Sequence, residues 1–264
     1  MIELCQNKFL DLSANYTDKQ RRLTIRILYL IMAIPLKNES ANNLKRKIGF
    51  LTISVIEFIA AVTVLLLSIG LFSLLVDETV LENETFFDAQ AFNFIASFRS
   101  PVNTRIAEIV TFFGTGTFLI PAYMIIIWYH FRIGKKREAV MVAIVALVSL
   151  LSGWLLKDIF HRPRPIQPLI AGAGGYSFPS GHSLGGFTFS GVLIYLLWSS
   201  TLQTSLKWFL SFVLILFGLL IGLSRIYLRV HFATDVLGSL LVTIVWLSLI
   251  FILLETIEKT NKLE

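Results

Sequence analysis

Six apolar runs dominate this chain, and each is about long enough to cross the hydrocarbon core of a lipid bilayer. A membrane-spanning helix needs roughly 20 predominantly apolar residues. The runs cover residues 48–76, 106–131, 139–159, 184–200, 206–224 and 235–254. Because the hydrocarbon core holds no water to bond backbone groups, each run must close its hydrogen bonds internally as a helix. The sequence therefore predicts an all-α polytopic membrane protein, a bundle of six transmembrane helices.

The composition agrees with a membrane location. Hydrophobic side chains make up 55% of the 264 residues and charged side chains only 15%, against roughly 25% charged in soluble domains. The net charge of +6 could attract nucleic acid, but the basic residues lie mainly in short segments beside the apolar runs, where membrane proteins carry them. We therefore expect the lipid bilayer as a partner and no nucleic acid. A single cysteine, Cys5, excludes an intramolecular disulfide.

The distribution of lysine and arginine predicts the orientation of the chain. Cytoplasmic loops of membrane proteins are rich in these residues, and with six spans most of the basic residues fall on one side. Those on this side are Lys45, Arg46, Lys47, Arg132, Lys135, Lys136, Arg137, Lys207, Lys259 and Lys262. Both termini are therefore expected to be cytoplasmic, with the acidic connection 77–88 outside.

Residues 1–47 are predicted to form a basic cytoplasmic N-terminal segment, ahead of a six-span membrane domain at 48–264. The apolar stretch 23–34 contains Arg26 and stops at Pro35, so it is too short to span a bilayer. We expect an interfacial helix there instead. A similar surface helix is expected at 88–100 on the outer side.

Two basic clusters lie where the orientation rule expects few positive charges. The third connection carries Lys157, Arg162 and Arg164, and the fifth carries Arg225 and Arg229. Anchoring at helix ends explains one or two such residues, but not two clusters on one face, and the nearby acids are expected to be too few to pair them. A bound anion would balance the charge. Phosphate matches the donors of arginine and lysine best, although a carboxylate or a sulfate also fits.

A glycine-rich segment, residues 171–182, lies between the two basic clusters and ends in Ser180, Gly181 and His182. Glycine allows backbone N–H groups to approach an anion closely. The start of the following apolar run would add the free N–H groups of a helix N-terminus. We therefore expect this segment to contribute to the same anion site.

Two histidines, His182 and His231, lie at loop-to-helix junctions on the expected outer face. Asp235 follows His231 by four residues, so on a helix the two would share a face. The carboxylate would accept a hydrogen bond from Nδ1 and leave Nε2 free as a nucleophile, while His182 would protonate the leaving oxygen. Metal binding is the competing interpretation, but zinc needs three close protein ligands, and the neighbouring cations would repel it. We expect no metal and no cofactor.

These residues also form a pattern of three parts in chain order. In the first part, six residues lie between Lys157 and Arg164. In the third part, five residues lie between Arg225 and His231, and three lie between His231 and Asp235. The parts are Lys157 to Arg164-Pro165, Pro179-Ser180-Gly181-His182, and Ser224-Arg225 to His231 and Asp235. The pattern resembles the signature of the type 2 phosphatidic acid phosphatase superfamily. With six apolar runs, the chain is most similar to the integral-membrane lipid phosphatases of that superfamily.

The resemblance implies a metal-independent lipid phosphatase of the cell membrane, with its active site facing the extracytoplasmic side. The implied substrate is a lipid phosphate or pyrophosphate of the undecaprenyl pyrophosphate, phosphatidylglycerophosphate or phosphatidate type. His231 would form a phosphohistidine, Asp235 would orient it, and His182 would act as general acid. The residues implied to hold the phosphoryl oxygens are Lys157, Arg164, Ser180, Gly181, Arg225 and Arg162.

Two other functions stay open at this point. A phosphotransferase of the same family would pass the phosphoryl group from a lipid pyrophosphate to an acceptor other than water. More distantly, an anion or lipid transporter would use the basic site only for binding, although transporters more often show repeated halves. The sequence does not predict the oligomeric state.

Overall fold

A computed structural model describes residues 39–81 and 86–261, with side chains over 55–79 and 86–253. The chain divides into two units, Met1–Glu57 and Phe58–Glu264. The interfacial helix expected at 23–34 lies outside the described residues, and the division of the chain at residue 48 stays a prediction. The helix contacts described below and the candidate site lie within the second unit.

The described part of the chain is helical and contains no strand, which confirms the all-α prediction. A π-helical segment, Asp77–Leu81, follows the first helix. The α-helices are α1 (Glu39–Val76), α2 (Phe86–Ala96), α3 (Pro101–Phe112), α4 (Gly116–Arg132), α5 (Lys136–Phe160), α6 (Gly181–Trp198), α7 (Thr204–Tyr227) and α8 (Ala233–Asn261). The surface helix expected at 88–100 corresponds to α2, which begins two residues earlier and ends at Ala96.

Four segments of the described chain are long and apolar enough to cross a membrane. They are Val55–Thr79, Lys136–Phe160, Thr204–Tyr227 and Ala233–Leu253. Helices α3 and α4 together make a fifth candidate, although they are bent by 41° at the break between them. Helix α6, with 18 residues, is not among these candidates. The arrangement with six spans and two cytoplasmic termini therefore stays a prediction.

The single helix predicted over 106–131 is instead two helices, α3 and α4. The helix is interrupted at Phe113, Gly114 and Thr115. The Thr115 hydroxyl donates to the carbonyl oxygen of Phe112 at 2.6 Å and accepts from the N–H of Phe118 at 3.3 Å. Threonine and glycine favour such caps and turns over a helix interior, so local hydrogen bonds offset the apolar character of the run.

Helix α6 packs against α5, α7 and α8. Small residues on α6 permit this close packing: a Cβ atom added at Gly186 would lie 3.0 Å from Cδ1 of Ile221, and one at Gly191 would clash with Cδ1 of Leu247. The N–H of Ser180, at the start of α6, donates to the carbonyl oxygen of Asp235 in the first turn of α8 at 3.3 Å, and the N–H of His231 donates to the carbonyl oxygen of Arg225 at the end of α7. The end of α5 lies beside the segment before α6, where Nζ of Lys157 donates to the carbonyl oxygen of Tyr176. That end of the bundle holds the predicted site residues.

Apolar side chains cover the outward faces of the bundle. On α5, Leu150 and Trp154 are 66% and 68% exposed, and on α7 Trp208 is 65% exposed. Large exposed apolar surfaces of this kind are rare on soluble monomers. Lipid chains would cover these faces, which agrees with a membrane location.

Candidate active site

The residues predicted from sequence converge at one end of the second unit, although they come from four helices and the segments between them. Lys157 lies in the last turn of α5 and Arg225 in the last turn of α7. His182 is the second residue of α6, and Asp235 lies in the first turn of α8. The N–H of Ser180, just before His182, donates to the carbonyl oxygen of Asp235 at 3.3 Å, and Nη1 of Arg164 lies 3.2 Å from Nε2 of His231.

His231 and Asp235 contact each other as the spacing predicts, but not as two residues within one helix. Helix α8 begins at Ala233, so His231 precedes it. The Oδ2 atom of Asp235 accepts from Nδ1 of His231 at 3.2 Å and from the N–H of Phe232 at 2.9 Å. The second bond is the return bond of a capping box, in which an acidic residue at the third helical position satisfies the N–H before the helix. The cap therefore holds the Asp235 carboxylate beside His231.

The hydrogen bond to Asp235 determines which nitrogen of His231 carries the lone pair. A carboxylate accepts only, so the proton lies on Nδ1, and Nε2 is free to accept. Nη1 of Arg164 lies 3.2 Å from Nε2. His231 is only 1% exposed, and burial lowers its pKa to about 4, although Asp235 opposes the shift. At neutral pH the ring is therefore uncharged, with its lone pair on Nε2.

The glycine-rich segment holds two of the cations through its carbonyl groups. Nε of Arg164 donates to the carbonyl oxygens of Gly174 and Gly175, at 3.1 and 3.0 Å. Nζ of Lys157 donates to the carbonyl oxygen of Tyr176 at 2.6 Å. The expectation that this segment contributes N–H donors is therefore incomplete, since its carbonyls orient the side chains of Lys157 and Arg164.

Arg225 is buried, with 5% exposure, and its hydrogen bonds are only partly satisfied. Nη1 donates to the hydroxyl of Thr111 at 2.7 Å. Its Nε has no hydrogen-bond partner among the described residues. A buried donor without a partner costs roughly 1–3 kcal/mol, or more when it is charged. An anion bound at this nitrogen would remove that cost.

Ser180, Gly181 and His182 form the N-terminus of α6. The Ser180 hydroxyl is fully buried and caps the helix, accepting from the hydroxyl of Ser183 at 2.8 Å. A Cβ atom added at Gly181 would have one neighbour within 4 Å, the Cε atom of Lys157. The helix N-terminus, which favours anions, therefore begins directly beside the lysine.

Arg162 differs from the other predicted phosphate-binding residues. It is 3% exposed, and its Nη1 and Nη2 atoms donate to Asp235 Oδ1 at 2.6 Å and to Asp88 Oδ2 at 2.9 Å. The expectation that nearby acids are too few to pair the basic residues is therefore wrong for Arg162. Because both terminal nitrogens bond to carboxylates, its contacts do not support the predicted role in binding phosphate.

Three residues that contact the site were missed by the sequence analysis: Asp88, Thr111 and Gly114. In the sequence, Asp88 counted only toward the negative charge of the connection 77–88, and Thr111 and Gly114 lie within the apolar run 106–131. A Cβ atom added at Gly114 would lie 2.8 Å from the carbonyl oxygen of His182. The break between α3 and α4 therefore packs directly against the start of α6. No local pattern marks these three residues, since each acts on a partner far along the chain.

Among the described residues, no three histidine, cysteine or carboxylate side chains converge in a way that could hold a metal ion.

Comparisons with known proteins agree on one family. The family model of the PAP2 superfamily matches residues 137–259. Phosphatidylglycerophosphatase B of Bacillus subtilis is 30% identical over 142 residues, which cover 53% of this chain and 70% of that protein. Undecaprenyl-diphosphatase BcrC of the same organism is 30% identical over 136 residues, covering 48% of this chain and 65% of that protein. Asp88, Thr111 and Gly114 all precede the residues that the family model matches.

A solved structure has the same fold. The crystal structure of a transmembrane PAP2-type phosphatidylglycerolphosphate phosphatase from Bacillus subtilis superposes with a TM-score of 0.62 at 25% sequence identity. The superposition covers 72% of this chain and 94% of that one.

Proposed function

This chain belongs to the PAP2 superfamily, and we propose that it is a membrane phosphohydrolase that removes phosphate from a lipid phosphate or a lipid pyrophosphate. The helices of spanning length support a membrane location, and the two Bacillus subtilis relatives are named as phosphatases. The single observation that carries the proposal is the hydrogen bond from Nδ1 of His231 to Asp235, which leaves Nε2 facing the guanidinium of Arg164.

His231 supplies the nucleophile for the first half of the reaction. Its Nε2 attacks the phosphorus, an Nε2–P bond forms, and the bond between phosphorus and the leaving oxygen breaks. The proton on Nδ1 stays hydrogen-bonded to Asp235. The negative charge of Asp235 stabilises the positive charge that develops on the ring.

His182 transfers the protons. In its protonated form, which the negative charge of the bound phosphoryl group favours, it donates one proton to the leaving oxygen, so that a lipid alcohol, or a lipid monophosphate from a pyrophosphate, departs. In the second half, the same nitrogen accepts a proton from the water that attacks the phosphohistidine. The Nε2–P bond then breaks, inorganic phosphate leaves, and both histidines return to their starting states.

The cations and the N-terminus of α6 would hold the phosphoryl oxygens. Phosphoryl transfer depends mainly on positioning and on stabilising negative charge. Lys157, Arg164 and Arg225 supply that charge, and Gly181 brings the helix N-terminus close to the lysine. Ser180 accepts from Ser183, so its own hydroxyl proton remains available for an oxygen of the substrate.

We propose that this chemistry needs no metal ion. The main services of a metal in phosphoryl transfer are to neutralise charge on oxygen and to activate a nucleophile. Here Lys157, Arg164 and Arg225 would neutralise the charge, and the neutral His231 ring is itself a nucleophile.

We further propose six spans, two cytoplasmic termini and a site at the extracytoplasmic face. The α3–α4 pair and α6 would join the four helices of spanning length. The basic turn around Lys135 and Arg137 lies at the start of α5, whereas Lys157 lies at its other end. If the basic turn is cytoplasmic, as such turns usually are, the site lies on the opposite side.

The substrate class follows from the relatives rather than from this site alone. Their names refer to phosphatidylglycerophosphate and undecaprenyl diphosphate. Purified protein in detergent with EDTA should release phosphate from at least one of four lipids: undecaprenyl pyrophosphate, phosphatidylglycerophosphate, phosphatidate or diacylglycerol pyrophosphate. Transfer of the phosphoryl group to a lipid acceptor without release of phosphate would indicate a phosphotransferase instead.

The decisive variant is His231→Asn, which should abolish both phosphate release and labelling by a ³²P-lipid. A matched control is His130→Asn, because His130 lies in the last turn of α4 and bonds to the carbonyl of Ile126. The control should keep wild-type activity. Full activity of His231→Asn would overturn the proposed mechanism, and activity that appears only after divalent metal is added would overturn its metal independence.

A further inference from the structure

Asp88, on helix α2, takes part in a buried charge cluster behind the proposed nucleophile. Its exposure is 4%, that of Arg162 is 3%, and that of Asp235 is 0%. We propose that Asp88 is a positioning residue for the reaction: through Arg162 and Thr234 it fixes the Asp235 carboxylate and offsets the positive charge of Arg162. This inference rests on the proposed function, because it assumes that His231 is the nucleophile.

The two oxygens of the Asp235 carboxylate have different partners. Oδ1 accepts from Nη1 of Arg162 at 2.6 Å, and Oδ2 accepts from Nδ1 of His231 and from the N–H of Phe232. Contacts on both oxygens fix the plane of the carboxylate. The bond from Arg162 therefore keeps Oδ2 directed at His231.

Asp88 in turn fixes Arg162 and the first turn of α8. Its Oδ2 accepts from Nη2 of Arg162 at 2.9 Å and from the hydroxyl of Thr234 at 2.7 Å, and its Oδ1 accepts from the N–H of Thr234 at 3.0 Å. The Thr234 hydroxyl also accepts from Nη1 of Arg162 at 2.8 Å. The Arg162 guanidinium lies 4.2 Å from the ring centroid of Phe232. Asp88, Thr234 and the ring of Phe232 therefore hold Arg162 in place, in addition to its bond with Asp235.

The charges of the cluster matter as much as its geometry. Asp88 and Asp235 each carry one negative charge and Arg162 one positive charge, so the three together carry one net negative charge beside His231. Without Asp88, the Arg162–Asp235 pair would be neutral overall, and it would stabilise the developing charge on His231 less well. Burial strengthens such effects, because they act at a low effective dielectric constant.

Through this cluster, helix α2, which precedes the residues matched by the family model, can affect the reaction. Asp88 lies 74 residues before Arg162 in the chain and precedes the residues matched by the family model. It touches no reacting atom and none of the proposed phosphate-binding side chains through these contacts. We therefore expect it to affect the chemical step and not the binding of substrate.

The test is steady-state kinetics of the full-length protein on whichever of the four lipids it hydrolyses. Asp88→Asn keeps the shape of the side chain and removes its charge. It should lower kcat by about tenfold or more while KM stays within roughly twofold. Asp88→Glu, which keeps the charge, should retain more activity than Asp88→Asn. The matched control is Glu108→Gln, which removes an exposed carboxylate paired with Arg105 on α3 and should leave both constants unchanged.

A double variant separates this role from a merely structural one. Asp88→Asn leaves Arg162 as a partly uncompensated buried charge, and Asp88→Asn with Arg162→Gln removes that charge as well. Arg162→Gln is measured beside them. Because Asp88 acts through Arg162, adding Asp88→Asn to Arg162→Gln should cause little further loss of kcat, whereas independent structural damage would make the two losses multiply. The double variant also covers the case in which Asp88→Asn does not fold, since replacing both partners of a buried ion pair is far less damaging than removing one.

Each outcome has one meaning. The role of Asp88 would be overturned by any of three results: a wild-type kcat in folded Asp88→Asn, a rise in KM as large as the fall in kcat, or losses that multiply in the double variant. The proposed function would remain intact in each case. Wild-type protein that hydrolyses none of the four lipids would overturn the proposed function and this inference with it.

Discussion

Nη1 of Arg164 lies 3.2 Å from Nε2 of His231, the nitrogen that we propose attacks phosphorus. The same nitrogen of Arg164 donates to the carbonyl oxygen of Val230 at 2.8 Å, and its Nε is held by the carbonyls of Gly174 and Gly175. The guanidinium therefore lies where a phosphoryl group would approach. When substrate binds, Nη1 would exchange Nε2 for a phosphoryl oxygen, and the lone pair of His231 would become free at that moment.

This relationship predicts that lysine cannot replace Arg164. Arg164→Lys keeps one positive charge but loses the planar arrangement of donors that bonds to the glycine carbonyls and to phosphate together. We expect kcat/KM to fall on the order of a hundredfold, as measured by phosphate release. Arg105→Lys is the matched control, because Arg105 is exposed and paired with Glu108. A value of kcat/KM within twofold of wild type for Arg164→Lys would contradict this role.

The buried state of His231 predicts an acid-dependent loss of stability. Burial lowers its pKa to about 4 in the folded protein, whereas an exposed histidine titrates near 6.5. The unfolded chain therefore binds the proton more readily, so folding stability decreases as the pH falls from about 6.5 to about 4. The loss attributable to His231 is on the order of 3 kcal/mol over that interval.

The measurement is the thermal unfolding midpoint in detergent at pH 7 and at pH 5, for the wild type and for His231→Gln. The midpoint of the wild type should drop further than that of the variant, because glutamine does not titrate. Equal drops in the two proteins would show that His231 does not carry this dependence.

The break between α3 and α4 predicts a third result, at Gly114. A Cβ atom there would lie 2.8 Å from the carbonyl oxygen of His182 and 2.8 Å from Cγ2 of Ile221. Since the first of these atoms is backbone, Gly114→Ala should displace the start of α6 and with it the proposed general acid. A misplacement of about 1 Å can cost roughly a hundredfold in rate, so we expect kcat to fall ten- to a hundredfold.

Gly116→Ala is the matched control for this change. It lies two residues further along, and its added Cβ would meet only Cδ1 of Ile120, at an ordinary distance of 3.7 Å. It should leave kcat unchanged. If Gly114→Ala and Gly116→Ala had the same activity, the close packing of the break on His182 would have no catalytic consequence.

The helical class and the contact between His231 and Asp235 could be predicted from the sequence alone. Apolar runs of spanning length have only one way to satisfy their backbone groups in lipid, which makes the helical class readable without a structure. A spacing of four residues at a helix start is likewise a local relation, and the capping bond from the N–H of Phe232 to the Asp235 carboxylate holds it. The positions of Lys157 and His182 at helix ends were also local properties of the chain.

The contacts of the remaining charged residues depend on how the helices pack. Arg162 and Arg164 are two residues apart and look alike in the sequence, yet Arg162 is buried between Asp88 and Asp235 while Arg164 faces His231. Thr111 contacts Arg225 across 114 residues of chain. A buried charge pairs with whichever partner the packing of helices brings within hydrogen-bond distance, and the local sequence does not indicate that partner.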